Sequence, residues 1–324
     1  MRIAVTGASG RLGRALVAAL QEAPFAGPSG PRAWSRPDFD LDAPERFAAL
    51  LDRDRVECVV HAAAWTDVDG CARDPDRAMR RNGEATGRLA TACAQRGADL
   101  ILVSTNEVFD GGRSDGLGYT TRDAPRPANA YGASKLAGET AAAEAFTARA
   151  SGDGAAHATG VGYRGPGGPR LGIVRTSWLF GPPGNDFPAK ILAAADRAEA
   201  AGEPLRVVGD EYGSPTYTVD VAEAIVELLG SGDVAGVHHV VNAGVVSRAG
   251  WARELLLQAR RDVTVADVPG STWQRASTPP AWAVLEPTPL PSGETLRAWQ
   301  LALADYLPTL LRQRASAGGP GTAR

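Results

Sequence analysis

The sequence predicts an α/β protein with a doubly wound parallel sheet. Short, nearly continuous apolar runs, typical of strands buried on both faces, alternate along the chain with segments of helical periodicity. The first of these runs leads directly into a glycine-rich turn and then a helix. In open sheets of this class, ligands bind beyond the carboxyl ends of the strands. We therefore expect a functional site at those ends.

The first strand, turn and helix lie in RIAVTGASGRLGRALVAAL. Gly7, Gly10 and Gly13 have the spacing G-x-x-G-x-x-G, a variant of the dinucleotide fingerprint. Such glycines permit a tight turn, close approach of the backbone to a pyrophosphate and close packing of helix on strand. The helix N-terminus adds free N–H groups and partial positive charge. The unit predicts a Rossmann-type nucleotide-binding turn. Its assigned residues are Gly7, Ser9, Gly10, Arg11, Leu12 and Gly13.

Three further apolar runs predict strands at 56–64, 98–109 and 171–181. Helical segments such as 76–96 and 131–146 separate them. The strand ends should line one crevice with the glycine turn. Small side chains after the first of these strands would let a flat cofactor lie against the backbone, although helix–sheet packing explains each of them equally well. These residues are Ala62, Ala63 and Ala64.

Composition excludes several classes of function. A net charge of -3 gives no electrostatic basis for binding nucleic acid. The chain enters a strand directly at Met1, and no apolar run is long enough to span a bilayer, so we expect a cytoplasmic protein without membrane contact. Cys58, Cys71 and Cys93 are widely spaced and lack the spacing of metal ligands, which predicts reduced thiols and no metal site.

Tyr131 and Lys135 lie four residues apart in NAYGASKLAGE, on one face of a predicted helix. A phenol has a pKa near 10, and a nearby ammonium group favours its ionised form. A Tyr–Lys pair can therefore exchange a proton with a carbonyl or alcohol while a nicotinamide moves a hydride. Taken alone, the pair would more often be a solvated helix face.

These motifs resemble those of the extended short-chain dehydrogenase/reductases, and within them the dTDP-4-dehydrorhamnose reductases. The resemblance extends from Met1 to about Val246, in the family's order, through TGASGRLG, HAAAWTDVDGCARDP, STNEVFDG, NAYGASKLAGE, VRTSWLFGPPGNDF and GSPTYTVDVA. It implies that Tyr131 donates a proton, that Lys135 lowers the pKa of Tyr131 and holds the nicotinamide ribose, and that Thr105 hydrogen-bonds the sugar carbonyl.

The resemblance also implies a smaller, interleaved C-terminal substrate domain. An NAD(P)-binding domain would comprise 1–173 and about 219–246, and the substrate domain 174–218 and 247–312. We expect a disordered tail at 313–324 and a surface loop or lid in the Gly-rich segment 147–170. The residues carried over to the substrate side are Asn106, Glu107, Trp178, Asn185, Phe187 and Thr216.

Two departures from the family pattern leave the function open. The reductases carry Asp-Tyr where this chain has Asn106-Glu107, and 278–285 lacks the family's Arg-Pro-x-Asn-Ser-x-Leu pattern. Related dehydratases use an acid and a glutamate at these two positions, but Asn106 has no carboxylic proton to donate. We expect an NAD(P)H-dependent reductase of a nucleotide-activated 4-keto-6-deoxysugar. The alternatives are a sugar-nucleotide epimerase or dehydratase and a non-catalytic NADP-binding regulatory subunit.

Cofactor preference depends on the end of the second strand, where an acid suits a ribose hydroxyl and an arginine suits a 2′-phosphate. That strand is hard to find in GPSGPRAWSRPDFDL, but Ser35 and Arg36 are its nearest candidates and no acid directly precedes them. We therefore favour NADPH, with NADH possible, and Arg11 could add to that preference. A monomer or a homodimer is expected.

Overall fold

The structure, a computed structural model, describes residues 1–152 and 168–317. Its strands are β1 (Ile3–Thr6), β2 (Arg32–Trp34), β3 (Cys58–His61), β4 (Asp99–Thr105), β5 (Leu171–Thr176), β6 (Leu179–Phe180), β7 (Leu205–Val208), β8 (Tyr212–Gly213), β9 (Thr216–Tyr217), β10 (Gly236–His239), β11 (Val246–Ser247) and β12 (Val265–Val268). Its α-helices are α1 (Arg11–Gln21), α2 (Phe47–Asp54), α3 (Val68–Arg73), α4 (Pro75–Ala78), α5 (Ala85–Arg96), α6 (Ala130–Gly152), α7 (Phe187–Ala201), α8 (Thr218–Ser231), α9 (Arg248–Gln258) and α10 (Trp299–Ala317).

The main sheet has six strands in the order β10-β5-β4-β3-β1-β2, and all neighbours are parallel. The chain runs from β1 outward to β2, then crosses to β3 and continues to the other edge. The order therefore reverses between β1 and β3, and a crevice opens outside the carboxyl ends of the strands at such a point. The predicted doubly wound, Rossmann-type sheet is confirmed.

Helices cover both faces of this sheet. On one face, Leu16 and Leu20 of α1 pack with Ile225 and Leu228 of α8, and all four side chains are fully or almost fully buried. On the other face, α2, α5 and α6 build a second core. Complete burial of one leucine contributes about 1.5–3 kcal/mol relative to an exposed one. The two cores hold the strand ends in place and so position the cleft described below.

A third core lies outside the main sheet. It contains residues of α7, α9 and α10, with the buried rings of Phe180, Trp251 and Tyr306 at its centre. The chain returns to the main sheet through α8 and β10 before it completes this core. The elements beyond β5 are thus interleaved with the sheet, while the domain limits given above remain a prediction.

Several predicted elements have different limits in the structure. The strand expected at 98–109 ends at Thr105, whose hydroxyl accepts a hydrogen bond from the Glu107 amide and caps a short 3-10 turn. The second strand is only three residues long. The helix expected at 76–96 contains a π-helical stretch, Met79–Glu84. None of the helices in 1–152 and 168–317 has the length and apolarity to span a membrane.

Two predictions of irregular structure were partly wrong. The helix α6 continues through residues 147–152, where alanine favours helix, and the rest of the Gly-rich segment to residue 167 lies outside the described residues. The tail was expected to be disordered from residue 313, but residues 313–317 belong to α10. Arg314 holds this end of the helix, since it donates to the Ala189 carbonyl (3.3 Å) and pairs with Asp196 of α7. Residues 318–324 lie outside the described part of the chain.

Candidate active site

A cleft of about 630 Å³ follows the carboxyl ends of β1, β3, β4 and β5. This volume lies within the usual range for small-molecule and cofactor sites. The structure brings every residue predicted to contact cofactor into its wall, together with Thr105. Those residues are Gly7, Ser9, Gly10, Arg11, Leu12, Gly13, Arg36, Ala62, Ala63, Ala64, Tyr131 and Lys135.

Two glycines of the turn, Gly7 and Gly13, have no room for a side chain. Gly7 has a φ of +63°, and a Cβ there would lie 2.9 Å from the backbone of Ala63. A Cβ on Gly13 would lie 2.0 Å from the Gly7 carbonyl oxygen, and the Gly10 amide donates to that oxygen at 2.8 Å. Backbone therefore forms the surface of the turn ahead of α1, as a pyrophosphate requires. The turn fits a dinucleotide.

The end of β2 meets the glycine turn. The Ser35 hydroxyl accepts a hydrogen bond from the Ser9 amide at 3.0 Å, and Arg36 lines the cleft beside it. Asp40, which the sequence analysis did not consider, lies in the same wall. Arg11 has other partners, since its guanidinium donates to the carbonyls of residues 179 and 185. It thus ties the turn to the segment after β5, and its geometry gives no support for a contact with a 2′-phosphate.

The three predicted catalytic residues meet at the centre of the cleft. Thr105 ends β4, while Tyr131 and Lys135 lie on the first two turns of α6. Gly132 allows this arrangement, because a Cβ on it would lie 1.9 Å from the Glu107 carbonyl oxygen. The start of α6 is therefore packed directly on the turn that follows β4.

Tyr131 lies in surroundings that keep its phenol protonated. Burial raises the pKa of Tyr131 well above its usual value, and the nearby Glu107 carboxylate raises it further, while the Thr105 hydroxyl acts in the opposite direction. Removing a proton from a buried phenol would create an unsolvated charge. At neutral pH, Tyr131 is thus a proton donor.

Lys135 is buried one turn after Tyr131 on α6, and its ammonium group donates to the Val103 carbonyl at 2.8 Å. Burial lowers the pKa of Lys135 to about 8, and Glu139 on the next turn of α6 opposes that change. The resemblance implied that Lys135 lowers the pKa of Tyr131. The ammonium group of Lys135 is directed to the strand backbone, and an effect of Lys135 on the pKa of Tyr131 stays a prediction.

Asn106 and Glu107 both line the cleft, but their side chains have different hydrogen-bond partners. The Asn106 amide donates to the Ala283 carbonyl at 2.9 Å, and its oxygen accepts from the Thr105 hydroxyl at 3.2 Å. One oxygen of Glu107 accepts from the Asn129 amide at 2.6 Å, and burial raises the pKa of the Glu107 carboxyl. Asn106 thus orients Thr105 and anchors a loop, while Glu107 places a carboxyl group in the cleft wall near Tyr131.

Of the other four residues carried over to the substrate side, Trp178 alone is among the residues that line the cleft. Thr216 is fully buried, and its hydroxyl donates to a backbone carbonyl at 3.0 Å. Phe187 stacks on Trp251 in the third core, with ring centroids 4.4 Å apart. Asn185 is exposed at the surface. Direct substrate contact by Thr216, Phe187 or Asn185 has no support from their positions.

The segment 277–283 is fastened beside the cleft by hydrogen bonds from both of its ends. Asp69 accepts hydrogen bonds from the amide (3.0 Å) and hydroxyl (2.6 Å) of Ser277. Asn129 donates to the Thr278 carbonyl at 3.2 Å. Trp282 donates its indole N–H to a backbone carbonyl at 2.8 Å and is not part of the cleft wall, so local packing accounts for it.

Sequence reasoning missed Arg248, the first residue of α9, which lines the cleft beside Trp178. Ser247 accepts a hydrogen bond from the Gly250 amide at 3.0 Å, so a helix start was predictable there. Which helix starts face the cleft depends on the tertiary fold, and the sequence pattern has no signal for it. Among the described residues, no group of three or more His, Cys, Asp or Glu side chains is placed to hold a metal.

Comparison with known proteins identifies the family. The profile of the RmlD substrate binding domain matches residues 1–150 and 165–312. The dTDP-4-dehydrorhamnose reductase of Mycobacterium tuberculosis is 34% identical over 320 residues, which cover 94% of this chain and 92% of the relative.

Solved structures agree with this similarity. The dTDP-4-dehydrorhamnose reductase of Clostridium acetobutylicum superposes with a TM-score of 0.81 at 27% identity, over 96% of this chain and all of that one. The enzyme of the same name from Bacillus anthracis, solved in complex with NADP, gives 0.78 at 28% identity over 95% and 99% of the two chains. With the cleft described above, these similarities show that the chain belongs to the dTDP-4-dehydrorhamnose reductase family of the extended short-chain dehydrogenase/reductases.

Proposed function

We propose that this chain reduces the 4-keto group of a dTDP-activated 6-deoxysugar, with NADPH as cofactor and Tyr131 as proton donor. The observation that carries the proposal is a single cleft that runs from the glycine turn to Trp178, with Thr105, Tyr131 and Lys135 between its ends. The names of the relatives, and the NADP bound to one of them, support the same substrate class and cofactor.

The cofactor fits the end of the cleft near β1 and β2. The glycine turn offers a bare backbone surface for the pyrophosphate, and Arg36 lies where a 2′-phosphate would follow β2. We assign Lys135 to the nicotinamide ribose, because its ammonium group is already oriented by the Val103 carbonyl. When bound, NADPH supplies the hydride that reduces the sugar carbonyl.

The protein groups at the centre then handle the proton. The Thr105 hydroxyl turns its proton from the Asn106 side-chain oxygen to the sugar carbonyl oxygen. Tyr131 donates a proton to that carbonyl oxygen as the carbon gains the hydride. The raised pKa of Tyr131 suits this direction, because the phenol keeps its proton until negative charge develops on the substrate. The phenolate that remains takes a proton from solvent before the next turnover.

The alternative functions have weaker support from these contacts. A dehydratase of the related type needs an acid beside the glutamate, whereas Asn106 carries an amide that is engaged with Ala283 and Thr105. A non-catalytic subunit would have no use for Thr105, Tyr131 and Lys135 gathered in one cleft.

The decisive experiment measures NADPH oxidation with two substrates in separate reactions, dTDP-4-keto-6-deoxy-D-glucose and dTDP-4-dehydrorhamnose. Turnover with either one is expected, and Tyr131→Phe should lower kcat by about 10²- to 10⁴-fold while NADPH still binds. Tyr119→Phe is a matched control, because the Tyr119 hydroxyl donates to Asp110 outside the cleft. Absence of turnover in a protein that binds NADPH would contradict the proposal.

We also propose that the chain acts in the cytoplasm on a small-molecule nucleotide sugar, as a monomer or a homodimer. Light scattering of the purified full chain distinguishes these two states, and a larger assembly would contradict both.

A further inference from the structure

Stacked aromatic rings reach from the third core to the cleft wall, where the guanidinium group of Arg248 lies over the rings of Trp178 and Phe187. Phe187 stacks on Trp251, and Trp251 lies parallel to Trp178, with ring centroids 5.9 Å apart and an interplanar angle of 10°. The guanidinium carbon of Arg248 lies 3.6 Å from the centroid of the Trp178 ring. A cation–π contact uses the face of a guanidinium group, so its N–H donors stay available in its own plane.

The backbone that presents this stack is strained. Trp178 has a φ of +43°, in the left-handed region that non-glycine residues rarely adopt, and such residues cluster at active sites and ligand clamps. On its other side the indole ring packs against Gly213, where a Cβ would lie 2.6 Å from the ring. The fold thus maintains an unfavourable conformation that sets the Trp178 ring, and with it Arg248, in the cleft wall.

Arg248 shares its ion-pair partner, Glu211, with a second arginine. Its nearest carboxylate is Glu211, at 3.7 Å from Nε to Oε2, which is longer than a hydrogen bond. Arg275 pairs with the other oxygen of Glu211 at 2.9 Å. One buried carboxylate is therefore shared by two guanidinium groups. Glu107 is the remaining acid whose charge acts on Arg248.

We propose that Arg248 binds the diphosphate of the nucleotide sugar. The inference rests on the proposed function, because it takes the substrate to be nucleotide-activated. The phosphates of the cofactor belong to the glycine turn at the opposite end of the cleft, whereas Arg248 adjoins Trp178 in the end built by segments after β5. The phosphate groups that remain for this end of the cleft are those of the substrate.

The chemistry of the position favours a phosphate over a sugar hydroxyl. A planar guanidinium group matches two phosphate oxygens at once, and charge-assisted hydrogen bonds of this kind are about twice as strong as neutral ones. The Arg248 side chain is 26% exposed, and partial burial lowers the pKa of Arg248 to about 10. A bound dianion would restore the solvation that burial removes, and a neutral hydroxyl would not.

The test measures binding of dTDP, which has the diphosphate but no sugar, to the full chain by calorimetry. Arg248→Met should weaken dTDP binding by about 10- to 100-fold, and Arg248→Lys by less, because lysine keeps the charge but loses the bidentate geometry. The affinity for NADPH should stay within about twofold of wild type and serves as the check on folding.

Arg253→Met is the matched control, because Arg253 lies on the same helix, pairs with Asp267 and is not part of the cleft wall. Unchanged dTDP binding in Arg248→Met would overturn the inference. If Arg248→Met binds the dTDP-sugar more weakly but binds dTDP normally, Arg248 contacts the sugar, and the inference is also overturned. If wild type reduces neither 4-keto sugar and binds no dTDP, the proposed function fails. If wild type reduces the sugar and Arg248→Met binds dTDP normally, the inference alone fails.

Discussion

The two ends of the cleft are built by different means. At the cofactor end, Gly7 and Gly13 let backbone pack against backbone within the first 64 residues of the chain. At the substrate end, side chains converge from segments far apart in sequence, including Trp178, Glu211 and Arg248. The cofactor end thus depends on the absence of side chains, and the substrate end on their identity. Substitutions can change the substrate end while the cofactor end stays intact.

The largest effect is expected at a buried ion pair behind the cleft wall, outside both ends. Arg175 on β5 pairs with Glu139 on α6 through contacts of 2.7 and 3.1 Å, and both side chains are only 5% exposed. Arg175→Met would leave the Glu139 carboxylate buried without its partner, which should lower the free energy of unfolding by about 3–5 kcal/mol. Urea unfolding followed by circular dichroism measures this change.

The paired substitution Arg175→Met with Glu139→Leu is the control for that experiment. Removing both charges together should recover most of the lost stability, because an apolar pair of similar volume can replace a buried ion pair. A loss below about 1 kcal/mol in Arg175→Met would show that water already screens the pair.

The next largest effect tests the cofactor end alone. In Gly13→Ala the new methyl group would meet the Gly7 carbonyl oxygen at 2.0 Å, so the turn must move. Overpacking typically costs about 1–3 kcal/mol, and a clash with rigid backbone should cost close to the upper value. We therefore expect NADPH to bind about 100-fold more weakly. Binding of dTDP at the other end should be unchanged.

Gly112→Ala is a suitable control, because a Cβ there would only reach an ordinary contact of 3.5 Å with Asp110. Fluorescence titration with NADPH should show no difference from wild type for this variant. Equal losses of NADPH and dTDP binding in Gly13→Ala would show that the two ends are not independent.

The sequence predicted the two ends unequally well, for a physical reason. The glycine spacing is a local pattern, and all of the residues assigned to it line the cleft. The runs that became β1, β3, β4 and β5 were found because strands buried on both faces are apolar throughout. The strand β2 was missed as a clear run because Arg32 and Ala33 are exposed. At the substrate end the resemblance placed Thr216 and omitted Arg248, because contact there depends on side-chain direction in the tertiary fold.

A smaller effect should appear in the pH dependence of the cofactor end. Burial lowers the pKa of Lys135 to about 8. The nearby His61 carries no charge at neutral pH, because burial lowers its pKa to about 3. The ammonium form is the one that binds ribose hydroxyls, so kcat/KM for NADPH should fall about tenfold between pH 7 and pH 9. Tyr131 does not contribute, because its pKa is raised.

The same pKa shift separates this loss from unfolding. A lysine with a lowered pKa in the folded state binds fewer protons there than in the unfolded chain, so stability rises between pH 8 and about 10.5. Circular dichroism should therefore show intact protein at pH 9. Binding of dTDP should be almost unchanged between pH 7 and pH 9, since the pKa of Arg248 is about 10. A kcat/KM for NADPH that stays level to pH 9.5 would refute the assignment of Lys135.

The smallest effect concerns the segment 277–283, which contacts the cleft residue Asn106 through the Ala283 carbonyl. Ser277→Ala removes the hydroxyl that donates to Asp69 at 2.6 Å and leaves the amide contact at 3.0 Å. The loss of one hydrogen bond to a carboxylate should raise KM for the dTDP-sugar about fivefold and leave KM for NADPH unchanged. Ser316→Ala, at the exposed end of α10, is the control and should alter neither constant. Because the hydroxyl contributes to the substrate end alone, a parallel rise of both KM values would show that 277–283 also orders the cofactor end.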